Sequence, residues 1–333
     1  MPATIAAVRY HLPEHVLTNQ ELAEQFPEWS VDKIGAKTGI MGRHIVADDE
    51  YTSDLAIAAS KKLLEETGTG PDSIDYLILC TQTPDYYMPS TSLMVHQALG
   101  LRADAGATDI TLGCSGYVYG LGLAKGLIES GQADRVLLVT GDTYSRLLNP
   151  ADKSVRTLFG DGATASLIVR TESRGLGDFV YGSDGSGGEF LVVPNGGLRG
   201  GDRYPAAAPD ARGFASNGYD LYMNGPEVFN FSLRVAGEAV DRLLAKAHLE
   251  KSDVDTWVFH QANQFMLGHL RRKIGIPEDR FVIEIADVGN TVSSTIPIAL
   301  ARQLENGRIT AGSRSLLLGF GVGLSWGGTL IEW

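Results

Sequence analysis

Cysteine is scarce in this chain, which has only Cys80 and Cys114 among its 333 residues. Two cysteines cannot build a disulfide framework, and because they stand alone they do not form the paired motifs of zinc sites. The composition therefore predicts a protein of a reducing, cytoplasmic setting with no metal bound through cysteine pairs.

The sequence also contains no long apolar run and no excess of positive charge. No stretch approaches the roughly 20 apolar residues that span a bilayer. The opening residues, MPATIAAVRYHLPEH, lack the basic segment and apolar core of a secretory signal. The 28 basic and 40 acidic residues give a net charge of −12, which argues against nucleic acid as a partner, because phosphate binding needs a basic face. We expect neither a membrane nor a nucleic acid partner.

The sequence does contain alternating strand-like and helix-like segments. With 44% hydrophobic and 20% charged residues it has an ordinary globular composition, and its length favours two subdomains over one core. Short apolar runs alternate with segments of helical spacing, which predicts an α/β fold with helix-covered sheets. The predicted elements are helices at 54–67 and 117–130 and strands at 74–80, 107–113, 135–140 and 164–169.

The second half of the chain resembles the first. Four pairs of segments match in the same order, which indicates an internal duplication with halves at 1–172 and 173–333. Residues 195–218 are rich in glycine, proline and alanine without periodicity, and we expect a surface loop there. The matched segments are 72–80 with 252–260, 96–101 with 271–276, 113–115 with 289–291, and 157–169 with 317–331. Each segment of the last pair is predicted to form two strands around a glycine turn.

Cys114, His260 and Asn290 follow predicted strands at positions that the repeat makes comparable. Corresponding strand ends in two related halves would face each other across a pseudo-twofold axis. Ligands of open α/β sheets bind beyond the carboxyl ends of strands. We therefore expect these three side chains to converge on one site.

Cys114 lies in TLGCSG, between a predicted strand and a predicted helix. The positive potential of a helix N-terminus lowers the pKa of a thiol, and the thiolate is the form that attacks a thioester. The alternative is a buried cysteine acting as a small hydrophobic residue, and this is our interpretation of Cys80 inside the strand IDYLILC.

His260 and Asn290 also have structural alternatives. The histidine could be a core or capping residue, and the asparagine could cap a helix. Together, however, an imidazole N–H and an amide could hold a thioester carbonyl and stabilise the enolate that forms when CO2 is lost.

The motifs GCSG, HQAN and GNT, with FGDGA at 159–163 and FGVGLSWGG at 320–328, resemble the 3-oxoacyl-(acyl carrier protein) synthase III family over essentially the whole chain. The resemblance implies a homodimer with a duplicated, five-layered αβαβα thiolase-like fold and no metal or redox cofactor. It implies that Cys114 is acylated by an acyl-coenzyme A. His260 and Asn290 would then promote decarboxylative condensation with malonyl carrier protein, and the amides of Cys114 and Val322 would form the oxyanion hole.

The same resemblance implies substrate-binding residues, although the chain departs from the family pattern at several of them. Lysine stands at 153 where the family often has arginine, and Gln264-Phe265 follow HQAN where the family commonly has an arginine. These departures are as compatible with an enzyme of a specialised pathway as with one that initiates fatty acid synthesis. The sequence does not identify the acyl donor. The implied residues are Met88 for the acyl pocket and, for coenzyme A, Trp29, Lys37, Lys153 and Asn263, with Arg156 as a nearby substitute for Lys153; the alternative for Trp29 is a plain amphipathic helix. Arg271, Arg272 and Lys273 lie one helix further on, and they are either a basic patch for docking an acidic carrier protein or a solvated helix face.

Other functions within the same fold make different demands on the sequence. An enzyme that passes the acyl group to an alcohol or amine has less need of Asn290, which favours condensation. A thiolase would have a second cysteine in the FGVGLSWGG segment, which contains none. A hydroxymethylglutaryl-coenzyme A synthase would need a glutamate base, whereas Glu65 and Glu66 lie on a predicted surface helix. A non-catalytic partner subunit usually lacks the nucleophile.

Overall fold

The computed structural model describes residues 1–199 and 218–333. Most of the loop predicted at 195–218 therefore lies outside the described residues. The strands are β1 (Ala3–His11), β2 (Val16–Thr18), β3 (Gly42–His44), β4 (Tyr76–Cys80), β5 (Gly106–Ile110), β6 (Arg135–Asp142), β7 (Gly162–Arg170), β8 (Leu176–Ser183), β9 (Leu191–Val192), β10 (Tyr222–Met223), β11 (Thr256–Phe259), β12 (Arg314–Gly321) and β13 (Ser325–Glu332).

The helices connect these strands and cover their faces. None of those in the described ranges is long and apolar enough to cross a membrane. They are α1 (Asn19–Gln25), α2 (Val31–Thr38), α3 (Thr52–Thr67), α4 (Thr91–Leu99), α5 (Gly116–Glu129), α6 (Lys153–Arg156), α7 (Gly225–Ala247), α8 (Gln264–Ile274) and α9 (Thr295–Glu305).

The first sheet has the strand order β1-β7-β6-β4-β5. Strand β4 runs parallel to β5 and β6, whereas β7 is antiparallel to β6 and β1. The segment YLILC of β4 is buried from its second residue onward, and β6 is buried from Val136 onward. Such unbroken apolar runs are typical of strands covered on both faces.

The second sheet has the order β11-β12-β13-β8. Strands β11 and β12 are parallel, and β13 is antiparallel to both β12 and β8. Parallel pairing of β11 with β12 brings the carboxyl end of β11, where His260 follows, beside the glycine-rich end of β12. This places His260 next to the turn that contains Val322.

Helices α5 and α9 lie between the two sheets. Leu121 of α5 and Leu300 of α9 share one core with Leu138 of the first sheet and Leu317 of the second. Helices α3 and α4 pack on the outer face of the first sheet, and α7 and α8 pack on the second. The layers therefore follow the order αβαβα, as the family resemblance implied.

Two local predictions are wrong. The strand expected at 107–113 ends at Ile110, so the residues before α5 form a turn. Segment 157–169 was expected to hold two strands, but it holds only β7, because residues 157–161 form a turn and a single β-bridge from Phe159 to Asn290. The two strands expected at 317–331 are confirmed. Division of the chain at residue 172 stays a prediction.

We predict that Gly319→Ala destabilises the protein by about 1–3 kcal/mol, the usual cost of overpacking. A Cβ at position 319 would lie 2.7 Å from the carbonyl oxygen of Cys114 and 2.8 Å from Cα of Ser115. These are backbone atoms, which cannot turn aside as a flexible side chain can.

Gly126→Ala is the matched control, because its Cβ would meet no described atom within 4 Å. In the exposed middle of α5 it should stabilise the protein by ~0.5–1 kcal/mol. Urea unfolding measures both effects, and equal unfolding free energies for the two variants would contradict the close approach at Gly319.

Candidate active site

The turn between β5 and α5 carries Cys114, whose side chain is 6% exposed. Strand β12 passes so close that a Cβ on Gly321 would lie 2.7 Å from Cβ and 2.9 Å from Sγ of Cys114. The backbone amides of Cys114 and Val322 are both directed at this sulfur, where each favours the thiolate. Two N–H groups thus converge on the sulfur from different elements of the chain.

The prediction of a lowered pKa for Cys114 is wrong. Burial raises the pKa of the thiol to about 12, and the carboxylate of Asp142 raises it further against the effect of the two amides. Asp142 ends β6, and burial raises its own pKa to about 7 although Gln82 and Ser293 donate hydrogen bonds to it. At neutral pH Cys114 is therefore a thiol, and it needs a base when it attacks.

His260 follows β11 at the edge of the second sheet. Its backbone N–H donates to the carbonyl of Leu318 at 2.8 Å, and Nδ1 lies 2.7 Å from Oγ1 of Thr295. Burial lowers the pKa of the imidazole to about 3, so the ring is neutral at neutral pH. With Nδ1 occupied by Thr295, Nε2 is the nitrogen left to act on a substrate.

Asn290 is held by backbone contacts to the segment before β7. Its N–H donates to the carbonyl of Leu158 at 2.9 Å, and its carbonyl accepts from the N–H of Gly160 at 3.1 Å. The preceding Gly289 has φ +69°, a conformation that favours glycine. Oδ1 of Asn290 accepts from the N–H of Val292 at 3.0 Å, which leaves the Nδ2 amide group as the donor.

Val292 forms hydrogen bonds with Asn290 and with Thr295, the partner of His260. Besides donating to Asn290, it accepts a hydrogen bond through its carbonyl from Oγ1 of Thr295 at 3.1 Å, and Thr295 contacts His260. Val292 adopts φ 54°, which is rare for a β-branched residue. A single strained residue therefore helps to orient both Asn290 and His260.

Cys114, His260 and Asn290 line the same cavity, which has a volume of about 80 Å³. The structure thus brings together the three residues that the repeat predicted to converge. In the described ranges, no group of three or more His, Cys, Asp or Glu side chains is placed to hold a metal ion. The other walls are mainly apolar and include Leu158, Phe159, Leu191, Met223, Met266 and Phe320.

The residues predicted for coenzyme A fall into two places. The ammonium groups of Lys37 and Lys153 lie 4.7 and 5.9 Å from the ring centroid of Trp29. Arg156 lies one turn beyond Lys153 on α6. Asn263 instead lines the cavity, and its side chain caps α8 by accepting from a backbone N–H. The structure therefore gathers Trp29, in the turn before α2, with Lys37 of α2 and Lys153 of α6, apart from the cavity lining.

Met88 and the basic end of α8 lie outside the cavity lining. Met88 is 81% exposed, so any role in the acyl pocket would depend on a second subunit. Arg271 is paired with Glu278 at 3.1 Å, whereas Arg272 and Lys273 are exposed. The basic patch is thus smaller than the sequence indicates, since one of its three charges is compensated.

Sequence reasoning missed Asp142, Tyr144 and Thr295. Asp142 ends β6 and Tyr144 comes two residues later, so the rule of strand carboxyl ends that indicated Cys114 also applies to them. For Thr295 the sequence carries no comparable signal, because its role comes from its contact with a histidine 35 residues away.

Family models and known relatives of this chain indicate the same family. Residues 108–185 match the family model for 3-oxoacyl-[acyl-carrier-protein] synthase III, and residues 244–333 match its C-terminal model. Beta-ketoacyl-[acyl-carrier-protein] synthase III 3 of Streptomyces coelicolor is 40% identical over 97% of this chain and 94% of its own length.

Solved structures match the fold of this protein over the whole chain. A crystal structure of a 3-oxoacyl-(acyl-carrier-protein) synthase III is 49% identical, with a TM-score of 0.96 and complete coverage of both chains. The enzyme of the same name from Pseudomonas aeruginosa is 36% identical, with a TM-score of 0.87 over 100% of this chain and 98% of its own. The predicted thiolase-like fold is confirmed.

We predict that iodoacetamide alkylates Cys114 slowly at neutral pH and about tenfold faster for each unit of rising pH, because only the thiolate reacts. The raised thiol pKa of about 12 places the titration far above neutrality. Peptide mass spectrometry measures the rate at each site. Cys80 is the internal control, since it is fully buried and burial raises its thiol pKa well above the usual value. A rate for Cys114 that levels off below about pH 8 would contradict the raised pKa, and equal labelling of both cysteines would favour a non-catalytic scaffold.

Proposed function

Because this chain belongs to the 3-oxoacyl-(acyl carrier protein) synthase III family and is a condensing acyltransferase, we propose that Cys114, His260 and Asn290 carry out its chemistry. The enzyme takes an acyl group from a coenzyme A thioester onto cysteine. It then condenses that group with malonyl carrier protein, with loss of CO2, to give a 3-oxoacyl carrier protein. The observation that carries the residue assignment is that all three side chains line one small, largely apolar cavity.

In the first half-reaction, neutral His260 accepts the proton of Cys114 through Nε2 as the sulfur attacks the thioester carbonyl. A buried imidazole with a pKa near 3 does not keep this proton, so it passes to the departing coenzyme A sulfur. The amides of Cys114 and Val322 receive the oxyanion of the tetrahedral intermediate. Their direction towards the sulfur supports this role.

In the second half-reaction, the malonyl thioester carbonyl accepts hydrogen bonds from Nε2–H of His260 and Nδ2–H of Asn290. Loss of CO2 leaves an enolate whose oxygen is held by these donors. The enolate carbon attacks the acyl group on Cys114, a carbon–carbon bond forms, and the cysteine sulfur departs as a thiolate that takes up a proton from solvent. The hydrogen bond from Val292 to Oδ1 of Asn290 supports this role, because it turns the amide nitrogen away from the backbone.

The two half-reactions need opposite tautomers of His260, and Thr295 is able to support both. When the hydroxyl of Thr295 donates to the Val292 carbonyl, it accepts from Nδ1–H of His260, and Nε2 is free to accept a proton. When the hydroxyl donates to Nδ1, the ring carries its hydrogen on Nε2 and acts as a donor. Both contacts of the hydroxyl are within hydrogen-bonding distance, at 3.1 and 2.7 Å.

We further propose that Trp29 stacks on the adenine of coenzyme A while Lys37, Lys153 and Arg156 contact its phosphates and Asn263 the pantetheine arm. The positive charges gathered at the Trp29 ring support this assignment. Lys153 is also paired with Glu28, so phosphate binding would compete with that ion pair. Thioesters supply all the reacting groups in this cycle, and it uses neither a metal nor a redox cofactor.

A cytoplasmic homodimer completes the proposal. Tyr86, Tyr87 and Met88 form a continuous apolar segment with exposures of 59, 79 and 81%, and exposed patches of this kind are typical of interfaces. Both cysteines are free, which fits a reducing compartment. Arg272 and Lys273, with Arg271 beside them, are our candidates for docking an acidic carrier protein.

Condensation is tested by incubating the enzyme with malonyl carrier protein and measuring released CO2. We expect Asn290→Ala to lower the rate of decarboxylation roughly a hundredfold, since one donor to the enolate oxygen is lost. Acylation of Cys114 by an acyl-coenzyme A, followed by intact-protein mass spectrometry, is the internal control and should change little. No CO2 release by the unaltered enzyme would contradict condensation and favour acyl transfer to an alcohol or amine.

We predict that Thr295→Val lowers both half-reactions by roughly ten- to a hundredfold, because Nδ1 of His260 loses its partner and the tautomer is no longer controlled. Thr295→Ser keeps the hydroxyl and is the matched variant, which should restore most of the activity. Single-turnover acylation and decarboxylation rates are the measurements. Equal losses in both variants would indicate a packing role for the threonine methyl group.

A further inference from the structure

Two buried serine hydroxyls join the turn that holds Cys114 to the turn that holds Val322. Oγ of Ser115 lies 2.8 Å from Oγ of Ser325, and the two residues are only 1 and 5% exposed. Ser115 directly follows Cys114, and Ser325 is the first residue of β13. This hydrogen bond therefore connects the two segments whose backbone amides are directed at the cysteine sulfur.

The hydrogen bonds of these hydroxyls run in one direction. Oγ of Ser325 also lies 3.0 Å from the carbonyl oxygen of Val322, which can only accept. Because Ser325 has a single hydroxyl hydrogen, it donates to Val322 and accepts from Ser115. The result is a chain of two hydrogen bonds that leads from Ser115 to the Val322 carbonyl.

The position of Ser115 in the chain favours a different hydrogen-bond partner. It is the N-cap residue of α5, where a serine hydroxyl usually accepts from a backbone N–H of the first helical turn. Within the described residues of α5, its hydroxyl accepts no such bond, and it contacts Ser325 instead, 210 positions away in the chain. Helix capping therefore does not account for the direction of this side chain, whereas a link between the two turns does.

Ser325 holds the Val322 turn at two points. Its backbone pairs with Gly321 in the ladder between β12 and β13, and its hydroxyl holds the carbonyl of Val322. The N–H of Val322 lies between these points, so both determine its direction. Because an oxyanion donor must lie about 2.7–3.1 Å from the oxygen, a displacement of roughly 0.5 Å is enough to weaken its effect.

We propose that the Ser115–Ser325 hydroxyl pair positions the amides of Cys114 and Val322 relative to each other as one oxyanion hole. This inference rests on the proposed function, because it takes these amides as the donors to the tetrahedral intermediate. Neither serine is among the described residues that line the cavity at Cys114, so both are positioning residues. Their effect is confined to steps that form an oxyanion on the acyl group of Cys114. Acylation is such a step, whereas decarboxylation of malonyl carrier protein is not.

The test compares the two half-reactions in full-length Ser325→Ala. The donor is acetyl- or butyryl-coenzyme A, whichever labels the unaltered enzyme faster, and intact-protein mass spectrometry gives the single-turnover rate of acylation at saturating donor. We expect this rate to fall by roughly ten- to a hundredfold, because one oxyanion donor is displaced. The donor concentration at half-maximal rate should change little, since the loss is in the transition state.

Release of CO2 from malonyl carrier protein is the internal control. Its rate should change by less than about threefold in Ser325→Ala, because the donors to the enolate oxygen are His260 and Asn290. Asn290→Ala is the matched variant with the opposite pattern, since it lowers decarboxylation and spares acylation. A role of the serines in general packing would instead lower both rates together.

A double-mutant cycle tests whether the two hydroxyls act as one link. Ser115→Ala breaks the same chain at its other end and should slow acylation about tenfold. The double variant Ser115→Ala/Ser325→Ala should be no slower than Ser325→Ala, because both substitutions remove the same link. The double variant also leaves neither hydroxyl buried without its partner. It therefore keeps the proposal testable if a single variant fails to fold, which thermal unfolding would reveal.

Three outcomes would overturn the proposal. Acylation could keep its rate in all three alanine variants, both half-reactions could slow equally, or the losses of the single variants could multiply in the double variant. In these cases the unaltered enzyme still carries an acyl group on Cys114, and the proposed function stands. If neither donor acylates the unaltered enzyme, the proposed function and the positioning inference fail together.

Discussion

The contact between the backbone of β12 and the turn that holds Cys114 is the constraint on which the site depends. Gly319 and Gly321 approach this turn so closely that a Cβ on either would lie less than 3 Å from its atoms. From the other side, a Cβ on Gly113 would lie 2.8 Å from Cγ1 of Val322. Only glycine backbone on both elements lets the amides of Cys114 and Val322 point at one sulfur.

Burial then determines the protonation of the two reacting groups at this junction, Cys114 and His260. In the low dielectric, burial disfavours charge, so the thiol and the imidazole are both neutral. Burial lowers the pKa of His260 to about 3 and raises that of Cys114 to about 12. A resting thiolate–imidazolium pair is therefore not formed, and proton transfer accompanies the attack on the thioester. The arrangement suits a nucleophile that reacts only with a substrate already held against it.

Local periodicity and the repeated order of elements were sufficient to predict an α/β fold with helix-covered sheets and the convergence of Cys114, His260 and Asn290, whereas the αβαβα layer order came from the resemblance to a known family. The sequence was insufficient for the pKa of Cys114, because the helix N-terminus is a local feature whereas burial depends on how the two sheets pack. The Ser115–Ser325 hydrogen bond joins residues 210 positions apart. Such a pairing depends on how β13 approaches the turn before α5, which a single sequence does not reveal.

The strained backbone at Val292 explains how one short segment serves both halves of the site. A β-branched residue at φ 54° costs of order 1–3 kcal/mol, so its surroundings must hold it there. Its N–H is bound by Asn290 and its carbonyl by Thr295, while the next residue, Ser293, donates to the buried carboxylate of Asp142 through both its N–H and its hydroxyl. A right-handed Val292 would direct these peptide groups elsewhere, and Asn290 and His260 would lose their common support. The strained backbone of Val292 is thus the cost of holding two groups in place near Cys114. It supports the amide of Asn290 directly and the imidazole of His260 through Thr295.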